Sequence, residues 1–278
     1  MKKINNMKSV LSVMAVTVFL FSCTTLQDKK AKDPVMSIAQ IDDFQVLATL
    51  YNYFAAEYKA LAFQAYNTAT MQIDEYHRQM PDAENLAVVV DIDETLLDNS
   101  PYQAKMIQLD ASYDSCWNTW CNLSAARPVP GSVECLNHAD SLGFNIFYVS
   151  NRKDQYVREG TIKNLKALGF PQVTPQHLYL REKTSDKEAR RKTISGNYNI
   201  VLLIGDNIGD FYEDTSLFSK RDSTVLANKY EFGHKFIVLP NAMYGNWPAS
   251  LGIRPGNFPL DSLLNIMTTS FGHTCSSE

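Results

Sequence analysis

Polar and apolar positions fall into blocks along this chain, and several of the apolar blocks are short. Leu86–Val90 and Ile200–Ile204 are continuous apolar runs rich in β-branched residues, the pattern of strands buried on both faces of a parallel sheet. Asn145–Val149, Leu178–Leu180 and Lys235–Leu239 complete a set of five. Between them lie helical patterns. One follows Pro128-Val-Pro-Gly131, runs to about Leu142 and stops at Gly143; another ends at Leu168 before Gly169; a short one begins near Ile208. Strands alternating with helices predict an α/β fold built on a doubly wound parallel sheet.

Two segments depart from this rhythm. From Ser37 to Met80 the chain reads as helical, with Phe44, Leu47, Tyr51, Phe54, Tyr58, Leu61 and Ala65 recurring at steps of three and four as one apolar stripe. A coiled-coil homodimer is the sharper reading. A helical pair packed on the main domain is the plainer one, and the failure of the heptad at Thr68 and Gln72 favours it. Asp98-Asn-Ser-Pro101 reads as a turn. The stretch from about 100 to 127 is aromatic-rich and irregular, with Tyr102, Tyr113, Trp117 and Trp120, and reads as an inserted cap over the strand ends.

The first residues read as a targeting segment. Lys2, Lys3 and Lys8 precede a largely apolar run from Val10 to Phe21, too short to cross a bilayer, so residues 1–22 read as a secretory signal. Residues 23–36 are polar and Lys-rich, as suits a tether, which leaves 37–278 as the folded domain. The formal net charge of −4 becomes more acidic once the leader's lysines are removed. That balance argues against a nucleic-acid polymer as partner and leaves small phosphate esters open. Cys116, Cys121, Cys135 and Cys275 have no zinc-site spacing and read as structural thiols or one bridge.

The candidate chemistry sits at the strand ends. Asp91 and Asp93 follow the first buried strand, and Gly205-Asp206-Asn207 with Asp210 follows its counterpart. In an open α/β sheet, ligands bind at those ends. A lone D-x-D is often only a helix cap, but here Thr95 extends it to D-x-D-x-T and a second acidic group follows a second strand. Four carboxylates converging on one crevice call for a cation, and oxygen-only ligands point to a hard ion, Mg²⁺. Asp91 can attack phosphorus and Asp93 can serve as acid and base. Ser150 reads equally as a donor to a phosphoryl oxygen or as a helix N-cap. The lysines of the basic run Arg181–Lys192 read mostly as a solvated face. Trp117, Trp120 and Tyr244 supply aromatic faces on which a nucleobase could stack, or else pack the insertion.

Several stretches carry a family resemblance: Asp91-Ile-Asp-Glu-Thr-Leu-Leu-Asp-Asn-Ser100, Arg127-Pro-Val-Pro-Gly131, Tyr148-Val-Ser-Asn-Arg-Lys153, Lys187-Glu-Ala-Arg190, Gly205-Asp-Asn-Ile-Gly-Asp-Phe211 and Pro240-Asn-Ala-Met-Tyr-Gly-Asn-Trp247. Together they resemble the class C acid phosphatases, exported lipoproteins of the 5′-nucleotidase type within the haloacid-dehalogenase-like superfamily. The resemblance implies an Mg²⁺-dependent phosphomonoesterase with Asp91 as nucleophile, Asp93 as acid/base, Ser150 and Lys187 (rather than Lys183) on the phosphoryl group, and Asn151 and Arg152 at the substrate. It implies a cation held by the Asp91 and Asp206 carboxylates and the Asp93 carbonyl, with Asp210 close by. Leu20-Phe-Ser-Cys23 is similar to a bacterial lipobox, which implies lipidation at Cys23 and a membrane-anchored protein of the cell envelope, with the outer membrane as the expected site. A phosphotransferase would share these residues, and a catalytically silent ligand-binding lipoprotein is the alternative from another class.

Overall fold

The structure is a computed structural model and describes residues 38–109, 111, 116–213, 217–253 and 267. All of them belong to the compact unit Asp33–Glu278. The elements in chain order are helices α1 (Ile38–Phe54) and α2 (Ala56–Gln79), strands β1 (Leu86–Val90) and β2 (Leu97–Asp98), and helices α3 (Ser100–Leu109) and α4 (Trp117–Leu123). They continue with β3 (Arg127–Pro128), α5 (Ser132–Ser141), β4 (Asn145–Lys153), α6 (Asp154–Ala167), β5 (Leu178–Arg181) and α7 (Glu188–Ser195). Last come β6 (Asn199–Gly205), a 3₁₀ turn at Ile208–Asp210, α8 (Phe218–Ala227), β7 (Phe236–Val238) and α9 (Asn246–Ser250).

Five strands form one sheet in the order β5-β4-β1-β6-β7, every neighbouring pair parallel. Alternate residues of β1 face opposite cores. Leu86, Val88 and Val90 pack with Tyr66, Ala69 and Ile73 of α2 and Leu136 of α5. Ala87 and Val89 pack on the other side with Ile194 of α7 and Phe211. Both faces are therefore covered, which is why the strand reads as an unbroken apolar run. The chain winds outward from β1 in one direction and then from β6 in the other, so the ends of β1 and β6 meet where the strand order reverses. That is the crevice of a doubly wound sheet.

The N-terminal helices depart from the predicted stripe. At Ala55 the backbone is extended (φ −67°, ψ 134°), which ends α1 and resets the helical phase. The buried face of α2 is then Tyr58, Ala62, Tyr66, Ala69 and Ile73, while Leu47, Tyr51, Phe54 and Leu61 are exposed. Packing chose the face with two alanines because it lets the helix lie close to the sheet, close enough for the Tyr66 hydroxyl to donate to the Thr95 carbonyl at 2.5 Å.

The cap is more regular than the sequence suggested. Leu97 and Asp98 pair antiparallel with Pro128 and Arg127, closing the insertion at its base. Asp98 Oδ1 accepts from the Ser100 amide at 2.8 Å, and Pro101 occupies the first turn of α3, where a missing N–H costs nothing. Asp98 also pairs with Arg127 at 2.7 Å, whose guanidinium lies 3.8 Å over the Tyr53 ring of α1. Tyr113 lies outside the described residues. Cys116, Cys121 and Cys135 are free thiols. Burial pushes Cys121 up to about 12 and Cys135 up to about 11, which makes both poor nucleophiles. Cys275 and the leader with Cys23 lie outside the described residues.

Helix α4 is seated on α6 at Gly160. A Cβ there would stand 2.6 Å from the Cys121 carbonyl oxygen and 2.7 Å from the Asn122 Cα, both fixed atoms. Ser124 Oγ donates to the Gly160 carbonyl at 2.9 Å and Asn122 Nδ2 to the Tyr156 carbonyl at 3.1 Å. Gly160→Ala gains up to about 1 kcal/mol of helix propensity but has to push α4 away, which costs about 1–3 kcal/mol. A net loss is expected as a lower thermal midpoint by calorimetry; a midpoint equal to the parent's or higher would show that α4 is not held here.

Candidate active site

Asp91 ends β1, and its amide donates to the Ile204 carbonyl of β6 at 2.9 Å, which locks the two strand ends together. Asp206 follows β6 directly. Asp210 closes the 3₁₀ turn after it. The turn is held by a reciprocal cap: Asn207 Oδ1 accepts from the Gly209 amide at 3.3 Å and Asp210 Oδ2 accepts from the Asn207 amide at 2.9 Å. Gly205 makes room for this fold-back, since a Cβ there would overlap the Asp210 carboxylate.

One carboxylate oxygen from each of Asp91, Asp206 and Asp210 falls within 4.8 Å of the other two. Lys187, the residue before α7, inserts its ammonium between Asp91 and Asp210, donating to both, to Asp210 Oδ1 at 2.5 Å. Burial pushes the Asp91 carboxyl well above the ordinary carboxylate range; Lys187 opposes this, and Asp210, Asp206 and Asp93 add to it. Burial, then the Asp210 charge, pushes Asp206 up to about 7. Burial works against the charge on Lys187, but Asp210 and Asp91 outweigh it and hold the ammonium protonated. One ammonium cannot balance three carboxylates, of which Asp91 and Asp210 are buried and Asp206 half-buried. Asp206 is further oriented by Thr95 Oγ1 at 3.2 Å and Asn241 Nδ2 at 2.8 Å. An all-oxygen, anionic, partly uncompensated donor set fits a hard divalent cation.

Asp93 occupies a different environment, although only Ile92 separates it from Asp91. Ile92 is fully buried in the core, so the two carboxylates leave the chain on the opposite side from it. Arg152 grips Asp93 through Nη2 to Oδ1 at 2.8 Å and Nε to Oδ1 at 3.0 Å, with Nε also 3.2 Å from Oδ2. Asn99 Nδ2 donates to Oδ1 at 2.9 Å and Ser150 Oγ to Oδ2 at 3.3 Å. The Asp93 carboxylate is thus outside the three-carboxylate group, and any share it takes in a cation falls to its backbone carbonyl. Glu94 then turns the chain with a left-handed φ of 57°. Its buried carboxylate accepts from the Asn99 amide at 2.8 Å and from Asn99 Nδ2 at 3.2 Å.

The other expected residues divide. Ser150 and Arg152 lie on β4, which runs to Lys153 rather than stopping at Val149. Ser150 is fully buried beside Asp93, and it is a strand residue, not a helix cap. Arg152 is 1% exposed and lies against Asp93, and its remaining nitrogen, Nη1, donates to Thr161 at 3.0 Å. Asn151 is exposed and accepts from Arg190 Nη2 at 2.6 Å, while Arg190 Nη1 donates to the Ser150 carbonyl at 2.6 Å. Lys187 is in the site and Lys183 is exposed.

Trp117 packs edge-on against Tyr102 at 4.9 Å, with Arg152 5.7 Å from its ring. Trp120 is half-buried against the core and donates its indole N–H to Asn99 Oδ1 at 2.7 Å. Tyr244 lies in the loop after β7, whose neighbours Asn241 and Met243 touch Asp206 and Ser100. Sequence reasoning gave no role to Asn99, Thr161 or Asn241. Asn99 was read as part of a turn, and nothing in the local pattern of the other two marks them.

Known proteins share this fold. The structure superposes on two crystal structures of the class C acid phosphatase from Bacillus anthracis. One has tungstate bound, with a TM-score of 0.75 and 36% identity over 86% of this chain and 100% of that one. The other gives a TM-score of 0.74 at 35% identity with the same coverage. Among curated sequences, Vegetative storage protein 1 of Arabidopsis thaliana is 29% identical over 136 residues, 46% of this chain and 49% of its own. The Stem 28 kDa glycoprotein of Glycine max is 32% identical over 134 residues, 44% and 51% of the two chains. The chain spans about half the length of these curated relatives. The model of the HAD superfamily, subfamily IIIB (acid phosphatase), matches residues 17–247. With that match over most of its length, the chain belongs to subfamily IIIB of the HAD superfamily, the acid phosphatases.

Proposed function

We propose that this protein is a phosphomonoesterase that works through an aspartyl-phosphate on Asp91. The observation that carries this reading is the separation of Asp91 and Asp93 into two environments, one facing Lys187 and the acidic pair, the other facing Arg152, Asn99 and Ser150. An Asp91 oxygen attacks phosphorus while the P–O bond to the leaving group breaks, and Asp93 gives its proton to the departing oxygen. In the second half Asp93 takes a proton from water, whose oxygen attacks the acyl phosphate and frees Asp91. Lys187 and Ser150 donate to the phosphoryl oxygens. Asp91, Asp206 and Asp210 with the Asp93 carbonyl would hold Mg²⁺, which when bound offsets the repulsion between Asp91 and the phosphoryl oxygens. The tungstate bound by the Bacillus anthracis enzyme supports this reading, because it is a tetrahedral oxyanion like phosphate.

The purified protein is expected to release phosphate from phosphomonoesters in a cation-dependent way. Asp91→Asn should fold and lose at least about a thousandfold in turnover. Activity within roughly tenfold of the parent would rule out Asp91 as nucleophile. Phosphate release measured against transfer to added alcohols separates hydrolysis from phosphotransfer.

The favoured substrates in this reading are nucleoside 5′-monophosphates. Trp117 beside Arg152, and Tyr244 in a loop anchored to Asp206 through Asn241, place aromatic residues on two flanks of the site. Stacking on a base is worth about 1–3 kcal/mol and discriminates little among bases. In Trp117→Ala or Tyr244→Ala, kcat/KM for adenosine monophosphate should fall by roughly tenfold or more, with glycerol phosphate much less affected. Equal losses on both substrates in folded variants, or none on either, would make the enzyme indifferent to the base.

The leader and Cys23 support export and a lipid anchor in the cell envelope. Cys23→Ala is expected to move the protein from the membrane fraction to a soluble or unprocessed form. Equal membrane partitioning of variant and parent would exclude the anchor.

A further inference from the structure

The amide of Asn99 joins the cap to the acid/base residue. Asn99 is completely buried, and every polar atom of its side chain is engaged. The indole N–H of Trp120 can only donate, so the Asn99 atom facing it at 2.7 Å must be the carbonyl oxygen Oδ1. That fixes the amide so that Nδ2 points at Asp93 Oδ1, 2.9 Å away, and at Glu94 Oε2, 3.2 Å away. Glu94 holds the same residue from the backbone side through the Asn99 amide.

The effect on Asp93 is asymmetric. Its Oδ1 receives three donors, Arg152 Nη2 at 2.8 Å, Asn99 Nδ2 at 2.9 Å and Arg152 Nε at 3.0 Å. Its Oδ2 has only two longer contacts, Arg152 Nε at 3.2 Å and Ser150 Oγ at 3.3 Å. Each carboxylate oxygen has two lone-pair sites: three short donors oversubscribe those of Oδ1, whereas Oδ2 has only the longer arm of the shared Nε bond and the 3.3 Å Ser150 contact, so Oδ2 is the oxygen more open to a proton. We propose that Trp120 and Asn99 are positioning residues for Asp93: the Trp120 N–H sets the Asn99 amide, the amide saturates Oδ1, and the proton delivered to the leaving group is confined to Oδ2. The inference rests on the phosphomonoesterase reading with Asp93 as the acid. It gives Trp120, on the cap helix α4, a task other than stacking on a base.

A general acid matters most when the leaving group is basic. Phenyl phosphate and p-nitrophenyl phosphate carry rings of similar shape but expel phenoxides of very different basicity, so ring binding cancels in their comparison. The measured quantity is kcat/KM, which reports the step that breaks the P–O bond. Asp93→Asn serves as reference and should depress phenyl phosphate far more than p-nitrophenyl phosphate. Trp120→Phe keeps an aromatic ring and removes the N–H. It is expected to lose roughly fivefold to tenfold more on phenyl phosphate than on p-nitrophenyl phosphate. Asn99→Ala, if it folds, should show the same bias more strongly. Equal losses on the two substrates in Trp120→Phe, or no loss on either, would overturn the positioning role while leaving the phosphomonoesterase reading intact. No bias in Asp93→Asn would overturn the acid role of Asp93 on which the inference stands. A parent that releases phosphate from neither ester nor from adenosine monophosphate would overturn the proposed function itself.

Discussion

The constraint on which the rest of this structure depends is the convergence of Asp91, Asp206 and Asp210 at the adjoining ends of β1 and β6. Two unit charges about 4 Å apart repel by about 4 kcal/mol at an effective dielectric of 20, so three ionised carboxylates this close, two of them buried, call for positive charge. Lys187 supplies one unit from outside the sheet, reaching in from the residue before α7. The remaining imbalance makes the crevice a cation site. Holding such a group requires a frame that does not yield. The frame here is a strand pair sealed by the Asp91–Ile204 hydrogen bond and covered on both faces by apolar cores. The electrostatic cost of the site is borne by the packing of the sheet beneath it.

The same frame explains how two carboxylates so near in sequence acquire different partners. Asp91 still belongs to the sheet and faces β6. By Asp93 the chain has left it, and a left-handed turn at Glu94 follows. Asp93 therefore meets Ser150 and Arg152, which reach it because β4 runs on to Lys153. Arg152 is fixed in turn by Thr161 of α6. Asp91 and Asp93 leave the end of the same strand, and their different partners come from the strands on either side, β6 for Asp91 and β4 for Asp93.

Much of this was legible in the sequence, for a physical reason. A strand buried on both faces must be an unbroken apolar run, and acidic residues directly after such a run have few structural uses, so Leu86–Val90 followed by Asp91 and Asp93 carried its meaning locally. Ile200–Ile204 with Asp206 and Asp210 did the same. Helix faces were less legible. The α1–α2 stripe was regular in spacing, yet the break at Ala55 shifted the phase, and the sheet selected Ala62, Ala69 and Tyr66 instead. No local pattern reports which of two apolar faces a sheet accepts. The roles of Asn99, Thr161 and Asn241 were illegible for a related reason. Each acts through side-chain hydrogen bonds to residues distant in the chain or across a turn, and such pairings exist only once the fold has formed. The partners of Arg152 were illegible for the same reason: its nitrogens meet Asp93 and Thr161 only once β1, β4 and α6 are assembled.

A division of tolerance follows from these contacts. The groups placed to act on a phosphoryl group come from strand ends and from Lys187, where a shift of one residue in register would scatter them. The surfaces placed to meet the rest of an ester come from α4 and from the loop after β7. Each is moored to the site by side chains rather than by the sheet ladder: Trp120 to Asn99, Asn241 to Asp206 and Met243 to Ser100. Trp117 and Tyr244 lie near those moorings and outside the sheet ladder, although Trp117 reaches the Asp93 side of the site through Arg152. A family built this way can keep one reaction and vary what carries the phosphate. The moorings themselves are where a change made for specificity would also reach the chemistry, since Asn99 touches both the cap and the acid.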